Sequence, residues 1–299
     1  MDEKKTEHIH QRSDLTLYWS VGPLFAALWG SAAVASKIGL RSVQPFTLSF
    51  SRFVLASTLM LTIAHVWKKH PLPTGKQWKQ LFIYGSLNIA LYLGLYIRAI
   101  QEVSPGLGSL SVAVNPVLIT VLAAIWNGQR VSYLQAFSLL LGIIGVAFCA
   151  YPLILDSYAT LRGVLILLAS TFFYSAGTIY FRKQVWKGMD TLTINGWQTF
   201  FGALLTLPVM LMTWRSEANH LDFNFLSAAA WLAIMVSIAA VQMWILMLRN
   251  HSERSSWWLF LTPIFGFLYA HFLTGEPLGW YTLAGTIMVL AALWMAMRK

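Results

Sequence analysis

Long apolar runs separated by short polar linkers organise this chain. Ten runs are readable, at about 17–36, 46–66, 79–100, 106–126, 132–151, 161–181, 190–213, 226–248, 256–274 and 278–297. Each matches the roughly 20 residues that an α-helix needs to cross a hydrocarbon core about 30 Å thick. The longest polar linkers are 67–78 and 214–225. The runs are continuously apolar and lack the alternation of a barrel strand. Lipid offers no partner to an open backbone edge, so the pattern predicts an all-α membrane protein with ten transmembrane helices.

Composition agrees with lipid exposure. Charged residues are 11% and apolar residues 57% of the chain, against about 25% charged in a soluble domain. Lys plus Arg outnumber Asp plus Glu by 21 to 11. The excess sits in linkers, where it reads as an orientation signal and not as a nucleic-acid surface. With the N-terminus inside, the cytoplasmic segments hold Lys4, Lys5, Arg12, Lys68, Lys69, Lys76, Lys79, Arg130, Arg182, Lys183, Lys187, Arg249, Arg254, Arg298 and Lys299. The outer segments hold only Lys37, Arg41, Arg98, Arg162 and Arg215. This bias places both termini in the cytoplasm of a multi-pass protein of the cell membrane, taken here as a bacterial cytoplasmic membrane. Residues 1–16 form a polar tail, and no cleavable signal is expected. His8 and His10 in that tail are incidental, and the single cysteine, Cys149, excludes a disulfide or multi-cysteine site. No metal and no cofactor are expected.

The halves repeat. Asn115-Pro116-Val117 recurs as Thr262-Pro263-Ile264, 147 residues on, and Gly128-Gln129 recurs at the same offset as Gly275-Glu276. The expected units are 17–151 and 161–297. Five spans per half is an odd number, so the second half enters the membrane from the opposite side. Such inverted repeats mark secondary transporters, whose site lies at the repeat interface near the midplane.

Several pieces, in their order and duplication, resemble the drug/metabolite transporter superfamily, EamA type. They are Trp29-Gly30-Ser31 with Lys37, Arg52-Phe53, the Pro116 and Pro263 spans, and Gly275-Glu276. The resemblance runs from about residue 18 to 297. It implies two inverted five-helix halves around a central cavity. It also implies transport, often export, of amino acids, other metabolites or amphipathic compounds. Gln129, where the second half has Glu276, is a departure that excludes a symmetric pair of loop carboxylates.

Candidate chemistry is sparse. Glu102, Asp156, Glu217, Asp222, Glu253 and Glu276 all fall in loops or at helix ends. Acids at membrane depth usually mark proton or cation sites, so their absence mid-span argues against a carboxylate-driven exporter of cationic drugs. Arg52 lies inside a span. It either snorkels to the outer interface or meets an anionic group of the substrate. Tyr84, Asn88, Tyr92 and Tyr96, four residues apart, share one drifting face of a helix. That face suits a water-accessible cavity, with interhelical hydrogen bonding as the plainer alternative. Trp29, Asn115 and Gln242 complete the cavity candidates, and Tyr174, Asn195, Trp197, Gln198 and Trp244 also lie at membrane depth. Pro116 and Pro263 are hinge candidates that free the carbonyls of Val112 and Leu259. His271 reads as a packing histidine. Ala26 with Gly30, and Ser109 with Ala113, have the spacing of close helix contacts.

No G-x-x-x-x-G-K-[ST], H-E-x-x-H or G-x-S-x-G occurs. An intramembrane enzyme therefore lacks its chemistry, and a scaffold or receptor leaves the inverted repeat unexplained. The expected function is secondary transport by alternating access. Aromatic or other neutral amino acids lead as substrates, with export as the direction, and a broad range of neutral drug-like compounds is the alternative. The expected partners are the substrate and membrane lipid, with a monomeric or weakly dimeric carrier.

Overall fold

The computed structural model describes residues 20–128, 130–186, 188–250, 258 and 261–297. The tail with His8 and His10, the departure at Gln129 and the carbonyl of Leu259 lie outside the described residues. Among those residues every regular element is helical. Eight helices are long and apolar enough to cross a membrane: α1 (Ser20–Gly39), α2 (Pro45–Trp67), α3 (Lys76–Glu102), α4 (Pro105–Trp126), α5 (Tyr133–Leu155), α6 (Leu161–Lys183), α7 (Thr191–Thr213) and α8 (Phe223–Trp244). Two shorter apolar helices follow, α9 (Leu261–Thr274) and α10 (Trp280–Met297).

Local chemistry sets the helix starts. Pro45 and Pro105 occupy first-turn positions, where the missing N–H costs no intrahelical bond. Side-chain oxygens accept from orphan amides at four other starts. Ser132 forms a capping box with Gln135, Thr160 accepts from the Gly163 amide at 2.9 Å, and Asp190 and Asp222 accept from Leu192 and Phe225. The Phe225 amide, helped by the Ser42 hydroxyl, holds the Asp222 carboxyl below its usual range.

Helices in lipid associate by close packing and interhelical hydrogen bonds, because lipid tails are as apolar as leucine. Large apolar side chains such as Leu140, Ile144, Leu204 and Phe272 are exposed on the outside, as a lipid-facing surface requires. Inside, small residues bring backbones together. Gly145 of α5 and Gly285 of α10 face each other's carbonyls so closely that a methyl on either would collide. Gly30 of α1 lies against the Thr262 carbonyl of α9, and its own carbonyl accepts from the Ser109 hydroxyl of α4 at 3.2 Å.

Irregularities recur at the sequence offset. The turns of α3 widen to π geometry over Ser86–Leu91, and those of α8 do so over Leu232–Ala240. Adding 147 to the first stretch places it inside the second. In α4 the path breaks at Ala113 and Val114, whose amides turn back to Leu110 and Ser111, and helix resumes at Asn115-Pro116. Thr262-Pro263, the repeat counterpart, lies within α9. This arrangement is compatible with two inverted halves.

Candidate functional site

A chain of polar side chains crosses the bundle interior. Arg52 of α2 is 8% exposed. Its Nε donates to the Ser237 hydroxyl of α8 at 3.0 Å. The Ser237 carbonyl, inside the widened stretch of α8, accepts from Asn195 Nδ2 of α7 at 3.0 Å. Asn195 Oδ1 accepts from Gln198 Nε2 at 2.8 Å, and Gln198 Oε1 accepts from Asn88 Nδ2 at 3.1 Å. Asn88 lies in the widened stretch of α3. Such turns re-register the backbone hydrogen bonds and recur at functional sites. Both here hold a member of this network.

The tyrosines of α3 divide. Tyr92 and Tyr96 are buried, with ring centroids 6.0 Å apart, and Tyr92 meets Tyr174 of α6 at 4.9 Å. Both lie within electrostatic reach of the Arg52 guanidinium. Tyr84 packs instead on Phe181 and Trp186. The widened turns between Tyr84 and Tyr92 wind less per residue, which offsets the drift of a four-residue spacing in a regular helix. Arg52 and Asn88 are thus joined by the polar chain, and Tyr92 and Tyr96 lie beside Arg52. Trp29 packs against the core cluster that holds Tyr92 and Tyr96. It also meets Phe25 in a tilted contact, Phe25 stacks on Trp244, and Gln242 Nε2 is buried without a partner.

Asn115 is 2% exposed, and neither its amide nitrogen nor its oxygen has a partner. Thr262, its counterpart in the repeat, is 1% exposed with an unpartnered hydroxyl. The two helices run in opposite directions and cross where Gly266 meets Ser109. Asn115 lies six residues beyond that crossing in α4, and Thr262 four residues before it in α9. At about 1.5 Å per residue, both sit at a similar depth. Desolvating an unbonded amide costs about 1–3 kcal/mol in proteins.

Sequence reading left Glu276 in a loop. It is in one, yet its side chain is 1% exposed. Gly275 ends α9 in the left-handed region, φ 72°, and its amide bonds the His271 carbonyl at 3.1 Å. Glycine adopts this conformation without a Cβ penalty, and the reversal carries Glu276 back into the protein. Among the described residues no His, Cys, Asp and Glu cluster could hold a metal ion. Ser237 and Thr262 were not singled out from sequence, because a hydroxyl in an apolar run looks like any small packing residue. Their signal is relational: Thr262 matches Asn115 in the repeat, and Ser237 appears only once Arg52 is placed.

The model of the EamA-like transporter family matches residues 19–151 and 161–298. An uncharacterized transporter of Archaeoglobus fulgidus is 25% identical over 287 residues, covering 94% of this chain and 99% of that protein. A Salmonella typhimurium protein named "Probable amino-acid metabolite efflux pump" is 24% identical and covers 91% of this chain and 92% of its own. A solved protein crystal structure has the same fold, with a TM-score of 0.67 at 16% identity, over 95% of this chain and 98% of that one.

Proposed function

We propose, on the premise that this chain belongs to the EamA-like transporter family, that it is a secondary carrier exporting aromatic or other neutral amino acids across the cell membrane by alternating access. Membership makes it a multi-pass membrane transporter and not an enzyme. The finer reading rests on one observation. Arg52 is a buried cation for which no carboxylate lies within ion-pair distance among the described residues. Taking such a charge out of water costs several kcal/mol unless it is paired. Its neighbours supply only neutral oxygens and rings. A substrate carboxylate completes the site, and Tyr92, Tyr96 and Tyr174 offer rings beside it for an aromatic or apolar side chain. The amino-acid relative supports the same class.

Asn115 and Thr262 supply donors and acceptors to the rest of the substrate. Asn115→Leu then removes a buried amide that lacks a partner in the empty carrier. The ligand-free protein should gain about 1–3 kcal/mol in stability, while the thermal shift on adding phenylalanine shrinks. Thermal unfolding in detergent with and without phenylalanine checks both. A variant that loses stability and keeps its full shift removes Asn115 from the site.

The orientation is tested with single cysteines in a Cys149→Ser background. Lys76 and Ala218 are both exposed. On intact cells an impermeant thiol reagent should label Ala218→Cys, and Lys76→Cys only after permeabilisation. The reverse pattern would invert the topology and the export direction with it.

A further inference from the structure

The buried Glu276 carboxyl belongs to neither the polar chain nor the tyrosine group. Its Oε1 accepts from the Ser104 hydroxyl at 2.6 Å, and its Oε2 accepts from the Gly106 amide at 2.8 Å. Both partners stand at the start of α4, so a side chain of the α9–α10 turn caps a helix from the other half of the chain. Orphan amides and the helix dipole favour an acceptor there. The turn before α4 is held from its other side as well. Lys37 Nζ of α1 donates to the carbonyls of Ile100, Gln101 and Val103 at 2.9, 3.3 and 3.0 Å. The fit leaves no slack, because a methyl on Gly106 would strike the Phe267 ring and Glu276 Oε1.

We infer that Glu276 is a proton-binding latch: its carboxyl, docked on the start of α4, holds this end of the bundle closed, and its deprotonation loosens the dock. The dock is compatible with a neutral carboxyl. The acid O–H donates to Ser104 Oγ, whose own hydroxyl turns away, and the other oxygen still accepts from Gly106. The charged form keeps both bonds as acceptors but leaves an anion away from water. Lys37 faces it from α1 and Cys149 from α5. On its own side, His271 Nδ1 meets the Glu276 backbone carbonyl at 2.9 Å. Glu102, at the end of α3, is engaged by Arg98 and Arg162. Burial raises the Glu276 carboxyl above its ordinary value, against the lowering by Ser104, the Gly106 amide and Lys37. A docked state that holds its proton more tightly than a water-exposed one is stabilised at low pH. That stabilisation is lost as pH rises through the raised value.

In transport, the latch rests on the alternating-access reading, since opening this end must part α4 from the α9–α10 turn. The dock itself is measurable without substrate, so its failure is distinct from a failure of that reading. The experiment is hydrogen exchange by mass spectrometry on the full chain in nanodiscs, over peptides covering 103–110, from pH 5 to 9. Three proteins are compared: wild type, Glu276→Gln and Glu276→Ala. Glu276→Gln keeps the neutral shape at every pH, with an amide N–H toward Ser104 and an oxygen toward Gly106. The ratio of wild type to Glu276→Gln at each pH cancels the intrinsic pH dependence of exchange. At low pH the two should be equally protected, and wild type should lose protection relative to Glu276→Gln as pH rises. Glu276→Ala should be unprotected throughout. A ratio that stays flat across the range, or a Glu276→Ala variant as protected as wild type, would overturn the latch.

Discussion

Arg52→Gln is expected to weaken binding of a carboxylate-bearing substrate by about 30- to 4000-fold, from the roughly 2–5 kcal/mol lost when one partner of a buried charge pair is removed. Glutamine places an amide N–H where Arg52 Nε donates to Ser237 but lacks the charged guanidinium end. The methyl ester of the same substrate should bind wild type and Arg52→Gln about equally, because it has no anion to lose. Arg52→Lys should fall between, since an ammonium keeps the charge without the guanidinium's planar fork. Titration of the thermal shift with phenylalanine and with its methyl ester separates these cases. Equal loss for acid and ester would make Arg52 a structural cation held by Ser237 and by the Phe53 ring 5.7 Å away.

Tyr92→Ala carries the second large effect. The ring is 5% exposed and sits in the core beside Tyr96 and Tyr174, so truncation leaves a cavity. Removing a buried aromatic ring costs about 3–5 kcal/mol of stability. Affinity should fall roughly 5- to 150-fold as well, from a lost aromatic contact and a lost hydrogen bond. Tyr92→Phe isolates the second part, with little change in stability and a modest loss of affinity. The leucines that flank Tyr92 are not equivalent controls. Leu91 is 40% exposed, and its truncation should change little. Leu93 packs against two core clusters and should lose stability without losing affinity. Unaltered phenylalanine binding by both Tyr92 variants would leave the tyrosines as packing alone.

Sequence exposed the apolar runs, the proline spans and the repeat offset, because each is a one-dimensional signal with a period or a spacing. The four-residue spacing in α3 was legible for the same reason, but the widened turns within it, and the division of Tyr84 from Tyr92 and Tyr96, were not. Nothing in the residues Ser86–Leu91 announces a widened turn. The polar chain was legible only as parts. Arg52, Asn88, Asn195 and Gln198 stood out as polar groups at membrane depth, but their order through Ser237 depends on which helices touch. Glu276 shows the limit most plainly. Its place between two spans read as a loop or a helix end. The left-handed turn at Gly275 and the crossing of α9 over α4 instead bring it to 1% exposure. A loop position fixes how far a residue is from a helix, and it does not fix which way the chain turns back.

The central claim is that the carrier holds its substrate by a carboxylate on Arg52 and passes it across the membrane. Its most direct test is exchange of labelled phenylalanine into phenylalanine-loaded liposomes that contain only this protein. Wild type should show saturable exchange that unlabelled phenylalanine competes away, and Arg52→Gln, inserted to the same level, should show at least about 30-fold less at sub-saturating phenylalanine. Exchange by Arg52→Gln at the wild-type rate, or no phenylalanine exchange by wild type, would contradict it.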